Sequence, residues 1–96
     1  MYASIRKGKI KSGTAIAEVV PLIKTGALPI LSSIPGFKAA YIVHGDDDTF
    51  TAISVFADRA AAEQSNPLIL DWLRQNLGSM LAGPPEVMAG EVVAHN

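Results

Sequence analysis

Apolar and polar residues alternate along Tyr2–Lys9 with no helix-start signal, and this two-residue period predicts a first strand with Tyr2, Ser4 and Arg6 on one face. Lys11-Ser12-Gly13 breaks the alternation. From Thr14, which fits an N-cap, Ile16, Val19, Val20, Ile23, Ala27, Ile30, Leu31 and Ile34 recur at spacings of three and four, one apolar stripe on a long helix. Pro21 and Pro29 each remove a helical hydrogen bond, so kinks, or two helical pieces meeting near Gly26, are expected. Pro35-Gly36 ends the segment, and Phe37–His44 reads as a second strand with Phe37, Ala39, Tyr41 and Val43 on one face.

His44-Gly45-Asp46-Asp47-Asp48-Thr49 has the chemistry of a hairpin loop, which returns Phe50–Phe56 antiparallel to the second strand. Asp58 fits the cap of a short helix through Arg59–Glu63, and Asn66-Pro67 reads as a second N-cap with a first-turn proline. Ile69, Trp72, Leu73, Leu77, Met80 and Leu81 then share a helical face until Gly83-Pro84-Pro85 stops the helix, and Glu86–His95 predicts a last strand. The order βαββαβ defines one α+β domain over residues 1–96, with a ferredoxin-like four-stranded antiparallel sheet and both helices on one face.

The second strand is apolar on both faces, since Ala40 and Ile42 stand opposite Ala39, Tyr41 and Val43. Helices cover only one side, so the other calls for a second sheet, and a copy of the same chain is the simplest source. Composition strengthens that reading: 49% hydrophobic against 18% charged residues is more apolar than a small water-exposed domain requires. Eight basic and nine acidic residues, for a net charge of −1, leave no electrostatic footprint for nucleic acid or an anionic membrane.

The absence of cysteine excludes a disulfide framework and thiolate metal sites and fits a reducing, cytoplasmic setting. Met1–Lys11 lacks the apolar stretch of a secretion signal, and no run approaches the roughly 18 apolar residues of a membrane span. HExxH and glycine-rich phosphate loops are missing, and Asp46-Asp47-Asp48 lacks the alternating spacing and closing glutamate of a calcium loop. Neither a metal nor a cofactor is expected.

Leu28-Pro29-Ile30-Leu31 leading into Ile34-Pro35-Gly36-Phe37, the segment Ser54–Glu63, and Gly83-Pro84-Pro85-Glu86-Val87 carry a resemblance over essentially the whole chain. They resemble the antibiotic-biosynthesis-monooxygenase-like proteins of the dimeric α/β-barrel superfamily. The resemblance implies a homodimer with its sheets face to face and a small pocket in each subunit between sheet and helices. It also implies a range of activities, among them cofactor-free oxygenation of aromatic or polyketide substrates, haem degradation and isomerisation. Haem-degrading members place a histidine on a helix and an asparagine on the first strand. Here the helices contain no His and Tyr2–Lys9 contains no Asn, so that branch is unsupported. The matching segments build the scaffold and leave the chemistry open.

Asn66, His44 and Arg6 are the candidate catalytic residues. In the resemblance Asn66 stands near the polar residue that oxygenase members place at the start of this helix, and as Asn-Pro it also serves as a cap. His44 ends a strand, where an imidazole suits the work of a general base, and by parity it faces away from Tyr41. Arg6 inside an apolar sheet calls for a carboxylate, supplied by Glu91 or by a substrate. Trp72, Tyr41, Phe37 and Phe56 are the candidate walls for a small planar aromatic ligand. Each has a competing structural role: core packing for Trp72, a solvated loop for His44, an internal or interfacial ion pair for Arg6.

Two functions follow. One is a cofactor-independent monooxygenase, in which a polar group stabilises a deprotonated aromatic or polyketide-like substrate that then reacts with dioxygen. The other is a non-catalytic module that carries small apolar ligands or self-associates, its pocket filled by core side chains. An enclosed cavity with at least two convergent polar groups separates them.

Overall fold

The computed structural model describes residues 1–96. Strands β1 (Tyr2–Lys9), β2 (Phe37–His44), β3 (Thr49–Phe56) and β4 (Glu86–Glu91) pair antiparallel in the order β2-β3-β1-β4. One crossover carries α1 (Ile16–Leu22), a π-helical turn (Ile23–Ala27) and α2 (Leu28–Ser32); the other carries α3 (Arg59–Leu77). The βαββαβ ferredoxin-like fold read from the sequence is the fold observed, although the last strand ends at Glu91 and not at His95.

The first helical region starts one residue later than expected. Ala15, extended at φ −89° and ψ 144°, is the N-cap, and the Glu18 carboxylate accepts from its amide at 3.2 Å. Its apolar stripe buries Val19, Ile23, Ala27, Leu31 and Ile34. The expected break near Gly26 takes the form of a π-helical turn, in which the Leu28 amide reaches back to the Ile23 carbonyl. The wider turn gives the Pro29 ring room where a regular helix would set the Thr25 carbonyl.

The second helical region, expected in two pieces, is one continuous helix. Asp58 caps it, its Oδ1 accepting from the Ala61 amide at 2.9 Å, and both Asn66 and Pro67 lie in its interior. Pro67 cannot bond to the Glu63 carbonyl, but both residues are exposed and water can serve that carbonyl. Burial of Ala62, Ile69, Leu73 and Leu77 against the sheet and α2 carries the helix through the gap.

Residues paired across strands share a face. Ser4 with Ser54, Arg6 with Ala52, and Gly8 with Phe50 turn toward the helices, together with Ala40 and Ile42. Ala3, Ile5, Ala39, Tyr41, Val43, Ile53, Val55 and Met88 turn the other way, where no residue is fully buried; Tyr41 is 58% and Met88 64% exposed. Phe37 departs from its expected face. A bulge between Phe37 and Ala39 inverts the parity, and the Phe37 ring meets Phe56 edge to face on the helix side, 5.9 Å between centroids.

Gly26 is where backbone and side chain meet most closely: a Cβ there would overlap the Trp72 indole. Gly26→Ala is therefore expected to displace the only tryptophan, red-shifting its emission, and to destabilise the fold by about 1 kcal/mol as overpacking outweighs the helix propensity gained. Unchanged emission would count against this contact.

Candidate functional site

The helix-facing side of the sheet contains a polar seam within an otherwise apolar core. Ser4 and Arg6 are 0% and Ser54 1% exposed. Ser4 lies directly across from Ser54, and Arg6 is two residues along β1 on the same face. Arg6 Nη1 donates to Ser54 Oγ at 3.3 Å, and Ser4 Oγ donates to Asn66 Oδ1 at 2.5 Å, tying α3 to the sheet. That bond turns the Asn66 oxygen to the sheet and leaves its amide nitrogen free to donate elsewhere.

Arg6 has no carboxylate partner. Its Nε and Nη2 are buried without an acceptor, and burial alone pushes the guanidinium down to about 10, so it is still a cation at neutral pH. The expected partner Glu91 does not reach it: Glu91 pairs with Tyr2 at the exposed end of β4, while Arg6 pairs with Val87. An uncompensated charge in an apolar interior costs several kcal/mol, an outlay that marks the position as something other than packing.

Beside Arg6 lies a small cavity of about 20 Å³, bordered by Arg6, Ser54, Phe50, Leu31 and Leu73 among others. That is room for about one water molecule. Ile23, Leu28, Ala40 and Ile42 also border it, and the same four residues form the floor of an outer groove of about 300 Å³ that extends to Ile16, Val20, Lys24 and His44. Cavity and groove are thus two sides of one wall, and that wall includes the π-helical turn.

The structure joins two of the three candidate catalytic residues: Asn66 and Arg6 sit at the two ends of the polar seam. His44 stands apart, exposed, at the rim of the outer groove. None of the four candidate aromatic walls borders the cavity at Arg6. Trp72 lies against Gly26 and opens on a separate surface hollow with Ile30 and Pro67; Phe37 and Phe56 pack on each other; Tyr41 is on the opposite face. The residues that sequence reasoning did not single out are Ser4, Ser54 and Phe50. The available signal was parity: Ser4 shares the inward face with Arg6, and a polar side chain on a covered face needs a partner there. No cluster of three or more His, Asp or Glu side chains is arranged to hold a metal ion.

Solved structures similar to this chain carry the same ferredoxin-like sheet with helices on one face, among them antibiotic-biosynthesis-monooxygenase-like proteins. NE2512, a protein of unknown function from Nitrosomonas europaea, is 25% identical, covers 99% of this chain and 91% of its own, and superposes with a TM-score of 0.77. SnoaB, a cofactor-independent oxygenase from Streptomyces nogalater, is 17% identical over 98% of this chain and 94% of its own, with a TM-score of 0.75. The monooxygenase ActVA-Orf6 of Streptomyces coelicolor, solved with nanaomycin D, is 17% identical over 98% and 92%, with a TM-score of 0.71. No protein-family model and no curated protein matches the sequence.

The unpaired Arg6 generates a stability prediction with a definite sign. Its folded value is depressed, so at neutral pH the charge is carried in both states and the burial penalty is present in full; the penalty eases only as pH rises toward and beyond about 10. Arg6→Met is expected to raise unfolding free energy by about 1–4 kcal/mol at pH 7, an advantage that shrinks in alkali. Urea titrations at pH 7 and pH 10.5 (about half a unit above the shifted value) check it, and a destabilised variant at pH 7 would mean that the charge has a partner.

Proposed function

We propose that the Arg6–Asn66 chamber is the ligand site of a cofactor-independent monooxygenase acting on a small aromatic or polyketide-like substrate. The observation that supports this most is the buried seam itself: a free guanidinium edge in an apolar interior is what an oxyanion needs in order to form away from water, and Asn66 stands at the other end of the same seam. The ring methylene of an anthrone-like substrate, conjugated through the ring to its carbonyl, loses a proton to water, and the donors of the seam hold the charge on the resulting enolate oxygen. The enolate carbon transfers its electrons to dioxygen, one oxygen atom stays on carbon as a carbonyl, and the other leaves as water with both hydrogens of the methylene. Likeness in fold to two oxygenases sets the direction of this reading.

The cavity beside Arg6 is smaller than an aromatic ring, so entry requires Ile23 and Leu28, at the two ends of the π-helical turn, to part toward the outer groove. The same tightness favours the second reading, a non-catalytic module whose interior stays filled. Oxygen uptake with a panel of anthrones and quinols decides between them: a rate above buffer that falls roughly 100-fold in Arg6→Met and in Asn66→Ala supports the oxygenase, and no rate with any substrate sinks it.

The open sheet face is read as the surface that pairs with a second copy of the chain. Its apolar residues Tyr41, Val43 and Met88 are exposed and Ile5 and Ile53 only half-buried within one chain, and only 18 of 96 residues are buried although 49% are hydrophobic. The lack of cysteine suits a cytoplasmic setting, and no helix is long and apolar enough to cross a membrane. Light scattering at micromolar concentration is expected to give twice the 10.1 kDa chain mass, and Tyr41→Lys, at a position exposed in the single chain, to give the chain mass alone. A monomeric wild type would remove this reading.

A further inference from the structure

Resting on the reading of the Arg6 chamber as a ligand site, we propose that its natural ligand carries a carboxylate: an aromatic or branched monocarboxylate whose head group takes the free edge of the Arg6 guanidinium while its apolar body lies in the adjoining groove.

The edge decides the chemistry. Nη1 is held by Ser54, and the two nitrogens left without acceptors are Nε and Nη2. These lie on the same side of the planar guanidinium and present parallel N–H donors at the spacing of the two oxygens of a carboxylate, the side-on bidentate fork. A lone carbonyl would satisfy one donor and leave the other orphaned. A water molecule, for which there is room, would leave the charge uncompensated. A phosphate dianion would bring surplus negative charge into a chamber with a single cation. One carboxylate matches the side-on fork in spacing and the guanidinium in charge.

The surroundings select the rest of the molecule. Apart from Arg6 and Ser54, the chamber is bordered by apolar side chains, and the four shared wall residues Ile23, Leu28, Ala40 and Ile42 carry the apolar lining out into the groove. At the groove's rim stand Lys24 and His44, with no acidic residue among the lining groups, so the approach favours an anion. Ile23 begins the π-helical turn and Leu28 follows it, which places the least regular backbone of the helical layer in the wall a ligand must pass.

Benzoate is the probe and benzamide its neutral isostere. Titration calorimetry and thermal unfolding of the full chain are expected to show saturable benzoate binding at about 1 mM or tighter, with a Tm that climbs with benzoate and does not move with benzamide. Arg6→Lys, which keeps a cation and loses the fork, is expected to weaken benzoate about 10-fold or more, the worth of one charge-assisted hydrogen bond, and Arg6→Met to abolish it. Equal response to benzamide, undiminished binding in Arg6→Lys, or no saturation at concentrations about tenfold higher overturns the proposal; the wild-type comparison needs no variant to fold. The oxygenase reading fails separately: benzoate binding without oxygen uptake on any substrate leaves the carboxylate assignment standing, whereas oxygen uptake on neutral quinols that saturating benzoate does not inhibit removes the carboxylate assignment alone.

Discussion

The constraint on which the interior turns is the charge of Arg6. A cation at 0% exposure in the middle of a four-stranded sheet has to be held by a group that costs the core something, and here that group is Ser54, a polar residue on the covered face of β3. Ser54 holds one edge of the guanidinium. Ser4, its direct cross-strand partner, reaches the other way to Asn66 and so couples α3 to the same seam. Pro67 follows Asn66 in the helix interior, where it forfeits a backbone hydrogen bond; the sheet contact at Asn66 and the burial of Ile69 immediately beyond it hold that stretch of α3 in place. The seam therefore holds three of the four buried polar residues, Ser65 on α3 being the fourth, and is a clamp between the layers.

The apolar side of the ledger is distributed unevenly. The helices and the inner sheet face bury a continuous cluster from Ile10 through Phe50 and Phe56 to Leu81, while the outer face of the same sheet carries Tyr41, Val43 and Met88 into solvent. A sheet faced with alternating polar residues would be indifferent to that exposure. This one is not, because each strand brings apolar groups to both sides. The two faces therefore do different work: the covered face encloses the charge, and the open face supplies most of the surface on which association could draw.

Much of this was legible from period alone. β1 and β2 have the bounds that alternation assigned, and the stripe from Val19 to Ile34 marks the buried side of the first helical layer. What parity could not supply was Phe37. One extra residue in β2 inverts its face, and bulges leave no mark in a two-residue period. The unity of α3 was hidden for a related reason: Asn-Pro is a strong local start signal, and only tertiary burial overrides it. The candidate site was legible only in its ends: Arg6 and Asn66 were named from the sequence, while the seam between them runs past Ser4 and Ser54, ordinary strand residues until the register sets them face to face. Size marks an aromatic side chain as a wall without saying which wall, and none of the four named borders the Arg6 cavity.

The division of the first helical layer follows from the same economy of space. A regular helix from Ile16 to Ser32 would have to carry Pro29 against the Thr25 carbonyl and Gly26 against the Trp72 ring in a fixed register. The π-helical turn relieves the first by widening, and the absence of a side chain at Gly26 permits the second. Both adjustments fall between Ile23 and Leu28, the two residues of this layer that border both the Arg6 cavity and the outer groove. The helical layer is thus least regular where it separates an unsatisfied charge from solvent. A wall built of uninterrupted helix would have one fixed register throughout; this one departs from it only across Ile23–Leu28, beside the charge.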